Sequence, residues 1–176
     1  MLIARIQERD MEAFEELFRL YRVRLARFLF KLVRRPEIVE EVTHDTLMVV
    51  WDRAYTFKGE SKLSTWVFAI AYRTAMKALR KQDEPVEDFL AEQRPSLDPT
   101  PKDEAVHSNV RVLLAKAISE LSPEHRAVVE YTYFQEMGCR EIAQIMDCPV
   151  DTVKTRMFHA RRHLKRRLPG ELWEWL

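Results

Sequence analysis

Glu141 to Leu164 reads EIAQIMDCPVDTVKTRMFHARRHL, and this stretch decides the fold. A short helix from Cys139 to Met146 meets the turn Asp147-Cys148-Pro149, and a second helix follows, ending near Pro169. At 100° per residue, Val150, Val153, Met157, Ala160, Leu164 and Leu168 share one face of that second helix, the face that must be buried. Asp151, Thr155, His159 and Arg162 lie opposite, with Thr152 and Phe158 on the flanks, Lys154 and Arg161 on one shoulder and Arg156 on the other. Seven basic residues and no acidic one lie between Lys154 and Arg167. A charge run is by default a solvated face. This one opens with small polar residues at a helix N-terminus, where a recognition helix meets base edges, and its cations suit phosphates. Two helices, a tight turn and a basic second helix predict a helix-turn-helix over about 139–158.

Upstream of it, a helix covers Val110 to about Leu121. Ser122-Pro123-Glu124 supplies an N-cap and a proline at the first helical position for a helix to about Phe134, and Gly138 is the next break. The N-terminal part is also helical. Asp10 caps a helix through Phe14, Leu17, Phe18, Tyr21, Leu25, Phe28, Leu29 and Leu32, which Arg34-Arg35-Pro36 stops. A second helix runs from Pro36 to about Ala54, Tyr55 to Ser61 is a loop containing Gly59, and a third helix runs from about Leu63 to Lys81. Residues 1–80 carry 15 basic and 11 acidic side chains, residues 81–107 carry 3 and 8, and residues 108–176 carry 11 and 9. The acidic stretch also holds Pro85, Pro95, Pro99 and Pro101, half of the 8 prolines, and proline breaks helices. The expected organisation is all-α: a helical bundle over 1–81, an acidic linker over 82–107 and a helix-turn-helix domain over 108–176.

Composition excludes other classes. The 176 residues carry 29 Lys+Arg against 28 Asp+Glu, net +1, so the chain is not uniformly basic. A hydrophobic share of 47% is globular rather than disordered. Three glycines are too few for the turns of a β-sandwich or the phosphate loop of a dinucleotide-binding domain. Cys139 and Cys148 cannot form a disulfide framework, and with no signal peptide or membrane span the expected setting is the cytoplasm.

Leu121-Ser-Pro-Glu together with Glu141–Leu164 resembles the promoter-reading fourth region of bacterial sigma factors, with the extracytoplasmic-function (ECF) group most similar. The N-terminal residues resemble the same family. Phe57-Lys-Gly-Glu-Ser-Lys-Leu-Ser-Thr-Trp66 resembles the loop and helix start that hold the minus-ten element, and Glu41–Ala54 resembles the segment that docks on core RNA polymerase. The resemblance implies that Asp151, Thr152, Lys154, Thr155, Arg156, His159, Arg161 and Arg162 face the minus-thirty-five element. It implies that Phe57, Lys58, Gly59, Glu60, Ser61, Trp66, Arg73, Lys77 and Arg80 serve the minus-ten element. The Tyr55–Ser61 loop would hold a base outside the stack, which costs a few kcal/mol and so favours strand opening. Three positions depart from the family: Asp151 for a frequent Gly, Gly138 for a common capping Ser, and His44 for the usual Gln.

Two helix wheels read the N-terminal surfaces without the family. Between 38 and 51, Ile38, Val39, Val42, Thr46, Val49 and Val50 share the expected core face. The other face combines Glu40, Glu41, His44 and Asp45 with Leu47, Met48 and Trp51. Apolar residues beside carboxylates suit a protein interface with a charged rim, and the plainer alternative is that another helix of the same domain covers them. After Ser61, Trp66, Arg73, Lys77 and Arg80 fall on one side, and Leu63, Val67, Ile70 and Thr74 form the buried side. Cations beside an aromatic suit a DNA backbone next to a melted strand, while Trp66 alone also reads as core.

His159 and His163 stand four apart, but no carboxylate or thiolate at fitting spacing joins them, so no metal site and no cofactor is expected. No phosphate loop or nucleophile elbow points to catalysis by this chain. The expected partners are core RNA polymerase, promoter DNA and an anti-sigma factor, with no direct membrane insertion. The alternative is a dimeric helix-turn-helix repressor or activator, which has no need of the Glu41–Ala54 surface and would sit symmetrically on palindromic DNA.

Overall fold

A computed structural model describes residues 2–82 and 104–168, with side chains given for 2–81 and 112–168. Eight α-helices and no strand occur among the described residues. The N-terminal bundle holds α1 (Leu2–Gln7), α2 (Met11–Val33), α3 (Pro36–Asp52) and α4 (Leu63–Gln82), with a 3₁₀ turn at Ala54–Thr56. The C-terminal domain holds α5 (Glu104–Ser119), α6 (Pro123–Val129), α7 (Cys139–Met146) and α8 (Val150–Arg167). A single π-helical turn, Glu130–Phe134, extends α6.

Local chemistry accounts for the boundaries. Asp10 accepts from the Ala13 N–H, satisfying an orphan donor of α2. Arg34 takes a left-handed conformation at φ 62° and ends α2 before Pro36. The Ser122 hydroxyl accepts from the His125 N–H, with Pro123 at the start of α6. Gly138 precedes α7 with no side-chain cap, and Asp147 ends α7 at φ 51°. These features match the expected punctuation. Two do not: α1 was not expected, and α5 begins at Glu104 rather than Val110. Most of the expected linker, 83–103, lies outside the described residues.

The larger core runs through both halves: Phe28, Leu47 and Phe68 of the bundle share it with Tyr131, Met137, Ile142 and Ile145 of the C-terminal half. A smaller core, comprising Ala117, Leu121, Val129, Ala160, Leu164 and Leu168, belongs to the C-terminal half alone. The π turn carries Tyr131 into the bundle, where its ring stacks on Phe28 at 4.8 Å and meets Phe68 edge-on at 6.2 Å. Polar contacts frame the seam. Lys31 Nζ donates to Glu130 Oε1 at 3.0 Å, and the Thr65 hydroxyl donates to Glu141, which also lies 3.6 Å from Lys62. Burial pushes Glu130 above the usual carboxylate range, with Lys31 opposing.

Candidate protein and nucleic-acid interfaces

Helix α3 lies between α2 and α4, so it buries a stripe wider than one wheel face. This corrects the expected exposed patch. Leu47 is fully buried in the core and cannot touch a partner. Trp51 is half-buried against Phe14, ring centroids 4.9 Å apart, with the Arg9 guanidinium 5.2 Å from its ring centre. Val49, expected in the core, is only half-buried. What remains outward is Met48, 41% exposed, with Glu41, His44 and Asp45. The plainer alternative therefore holds for Leu47 and largely for Trp51. It fails for Met48 and the charged rim.

Helix α4 presents Arg73, Lys77 and Arg80 to solvent, while Val67 and Ile70 are buried. A groove of about 840 Å³ separates α3 from α4. Glu41, Asp45 and Asp52 line it on the α3 side, and Trp66, Arg73 and Lys77 on the α4 side. Parts of the two surfaces read separately in the sequence thus form the walls of one groove, acidic opposite basic.

The loop before α4 needs a second correction. Phe57 is buried, its ring 5.5 Å from Trp66. Its carbonyl and that of Ala54 both accept from the Gln7 side-chain amide at 3.0 Å. Phe57 therefore anchors the loop and presents no face to a nucleic-acid base. Lys58, Gly59 and Glu60 are exposed and Ser61 is half-buried, with Gly59 at φ 76°, where a side chain would be strained. The aromatic ring that is open here is Tyr55, 72% exposed, which sequence reading left out of the candidate residues. An aromatic residue just outside the helical period, where nothing requires it in a core, was the available signal.

Helix α8 places its residues nearly as the wheel reads them. Val153, Met157, Ala160 and Leu164 are buried, and Asp151, Lys154, Thr155, His159, Arg161 and Arg162 are exposed. Thr152 and Arg156 are half-buried. Lys154 Nζ pairs with Asp151 Oδ1 at 3.0 Å, and the Thr155 hydroxyl donates to the Asp151 carbonyl at 2.9 Å. Arg161 Nε donates to the Tyr133 hydroxyl at 3.0 Å, which holds it toward α6. Phe158, 61% exposed, adds an open aromatic ring to this surface. Among the described residues no group of three or more His, Cys, Asp or Glu side chains is arranged to hold a metal.

Two family models match along the chain. Residues 17–84 match the model of "Sigma-70 region 2" and residues 111–164 that of "Sigma-70, region 4". An "ECF RNA polymerase sigma-E factor" of Haemophilus influenzae is 30% identical over 177 residues, covering 95% of this chain and 93% of that protein. An "ECF RNA polymerase sigma factor RpoE" of Cereibacter sphaeroides is 30% identical, covering 91% and 88%. Among solved structures, CnrH in complex with the cytosolic domain of CnrY shares the fold at TM-score 0.67 and 22% identity, over 94% of this chain and 93% of that one. The sigma factor RpoE of Bartonella quintana, in complex with the anti-sigma factor NepR, does so at TM-score 0.64 and 22% identity, over 87% and 94%.

Proposed function

The chain belongs to the family of ECF RNA polymerase sigma factors and is thus a promoter-specific transcription initiation factor, and we propose that its exposed surfaces divide promoter recognition among them. The rim of α3, with Glu41, His44, Asp45 and Met48, takes core RNA polymerase. The loop from Tyr55 to Ser61, Trp66 and the cations Arg73, Lys77 and Arg80 take the opened minus-ten element. The exposed face of α8 takes the minus-thirty-five element, with Thr155 toward base edges and the flanking cations on phosphates. Catalysis belongs to the polymerase, and this chain supplies none. The reading places the protein in the cytoplasm with its polymerase; no described helix is long and apolar enough to cross a membrane. An anti-sigma factor is a proposed further partner, since the similarly folded sigma factor RpoE of Bartonella quintana is in complex with one.

The observation that carries this reading is the groove between α3 and α4, with a thioether and carboxylates on one wall and an aromatic ring and cations on the other. A dimeric repressor is not favoured, because two sigma regions match in order along one chain. The two promoter elements lie about 25 base pairs apart, on the order of 85 Å at 3.4 Å per pair. A compact chain of 176 residues has a radius of gyration of about 16 Å, roughly 40 Å across. Under this reading the domains part along the Tyr131 seam to reach both elements. Sedimentation with purified core polymerase tests the proposal. A one-to-one complex weakened by Met48→Glu is expected, and a homodimer indifferent to polymerase would overturn it.

A further inference from the structure

A cleft of about 450 Å³ lies between the start of α6 and the middle of α8. Ser122 and His125 form one wall and His159, Arg162 and Arg166 the other, with His163 and Glu120 at one end. The His125 and His159 rings stand 6.3 Å apart and nearly perpendicular. His125 Nδ1 is 2.7 Å from the Ser122 hydroxyl, which also accepts the His125 backbone N–H. The one lining carboxylate is already engaged: Glu120 Oε2 is 2.8 Å from Arg167 Nε and 3.5 Å from His163 Nε2. Among the described residues, Arg162 and Arg166 have no carboxylate partner. A concave site with two guanidinium groups, two facing imidazoles and no free counter-charge fits a tetrahedral anion.

We propose that this cleft is a proton-coupled seat for one backbone phosphate of duplex DNA, closed by His125 in its protonated form with the His159 ring beside it. It rests on the reading of α8 as the DNA helix and deepens it. The cleft continues the exposed face of α8 one turn beyond Thr155, where a helix lying in a groove runs beside the phosphate row.

The surroundings set the direction of the coupling. Burial first, then the like charges of His159, Arg156 and His163, hold the His125 imidazole below its ordinary range, with Glu124 opposing. A phosphate at the mouth of the cleft, beside His125 and the two guanidinium groups, replaces repulsion by attraction and favours the charged form. Binding therefore takes up protons, and affinity falls as pH rises from the lowered value of free His125, below the ordinary histidine value of about 6.5, up to its raised value in the complex.

The test is fluorescence anisotropy of the full chain with a duplex of about 20 base pairs, followed from about pH 5.5 to pH 8, with circular dichroism to confirm that each variant is folded. Affinity should fall toward tenfold per pH unit for each proton bound. His125→Gln should flatten that dependence. His159→Arg, at an exposed position, should strengthen binding at every pH while leaving the His125 step in place. A flat wild-type profile, with binding still weakened by Thr155→Ala and Lys154→Ala, would overturn the seat and leave the DNA reading intact. Binding indifferent to every substitution on α8 would overturn that reading and the seat with it. Inorganic phosphate is the second probe: if it shifts the His125 and His159 NMR signals while DNA leaves them unmoved, the cleft is a free-anion site and the proposal fails.

Discussion

Tyr131→Ala probes the seam between the domains. The Tyr131 side chain is fully buried, and the two rings it packs on, Phe28 and Phe68, belong to the other domain. Its hydroxyl has no hydrogen-bond partner among the described residues, and burial holds its ionisation well above the usual tyrosine range. Packing alone therefore holds the side chain. Deleting a buried aromatic costs about 3–5 kcal/mol. The ring contacts cross the domain boundary, so most of that loss falls on docking rather than on either half. At 1.4 kcal/mol per tenfold, the balance shifts toward parted domains by roughly two to four orders of magnitude. Small-angle scattering should show a larger radius of gyration at unchanged helicity, and promoter binding with core polymerase should be undiminished. Tyr131→Phe is the control. It removes a buried unpaired hydroxyl, so it should stabilise the docked form by about 1–3 kcal/mol. Unchanged dimensions in Tyr131→Ala, with a lower melting temperature for the whole chain, would show that Tyr131 is an ordinary core residue of one inseparable unit.

Leu47→Ala should lower stability by about 2–5 kcal/mol in thermal melts, while Met48→Ala should leave the melting temperature almost unchanged and weaken binding to core polymerase. Arg162→Ala should weaken DNA binding equally on all sequences and reduce the salt slope by about one, as a phosphate contact requires; a loss confined to one base position would assign it to base reading instead. Gly138→Ser should raise thermal stability by a few tenths of a kcal/mol, because the position has extended backbone at φ −75°, nothing within 4 Å of an added Cβ, and a helix start without a side-chain cap. Asp151→Gly removes the partner of Lys154 and a first-turn carboxylate; a changed promoter profile is expected from footprinting, and an unchanged one with only a small loss of stability would confine Asp151 to the helix end.

The punctuation was legible because it is local. Asp10, Ser122, Pro36 and Pro123 act on backbone groups within one turn, so their effect needs no knowledge of the fold. The buried face of α8 was legible for a related reason: its buried side chains form one stripe, and the other directions are charged or polar apart from Phe158. Helix α3 defeated the same method because it lies between α2 and α4. A wheel that assigns one inward face puts Leu47 outside. Phe57 failed differently, since its burial depends on Trp66 and on the Gln7 amide, about fifty residues earlier in the chain. The groove between α3 and α4 was half legible. Both walls could be read, but nothing in either helix says that they face each other.

The seam was not legible, and the reason bears on how the protein works. Helix α7 packs on α8 and also on α4, and all of Ile142, Ala143, Ile145 and Met146 are buried. A residue that covers a neighbouring domain has the same composition and spacing as one that covers its own, so the pattern does not separate interface from core. The energetic consequence does. Parting the domains uncovers at least Tyr131, Phe28 and Phe68, and exposing three large apolar side chains costs on the order of 5–9 kcal/mol. A chain that opened unaided would sit far uphill. Reading two separated promoter elements thus requires a partner surface that covers this apolar face as it is exposed. The π turn is the fitting place for the latch, because it directs Tyr131 across the boundary while α6 keeps Val129 in the C-terminal half's own core.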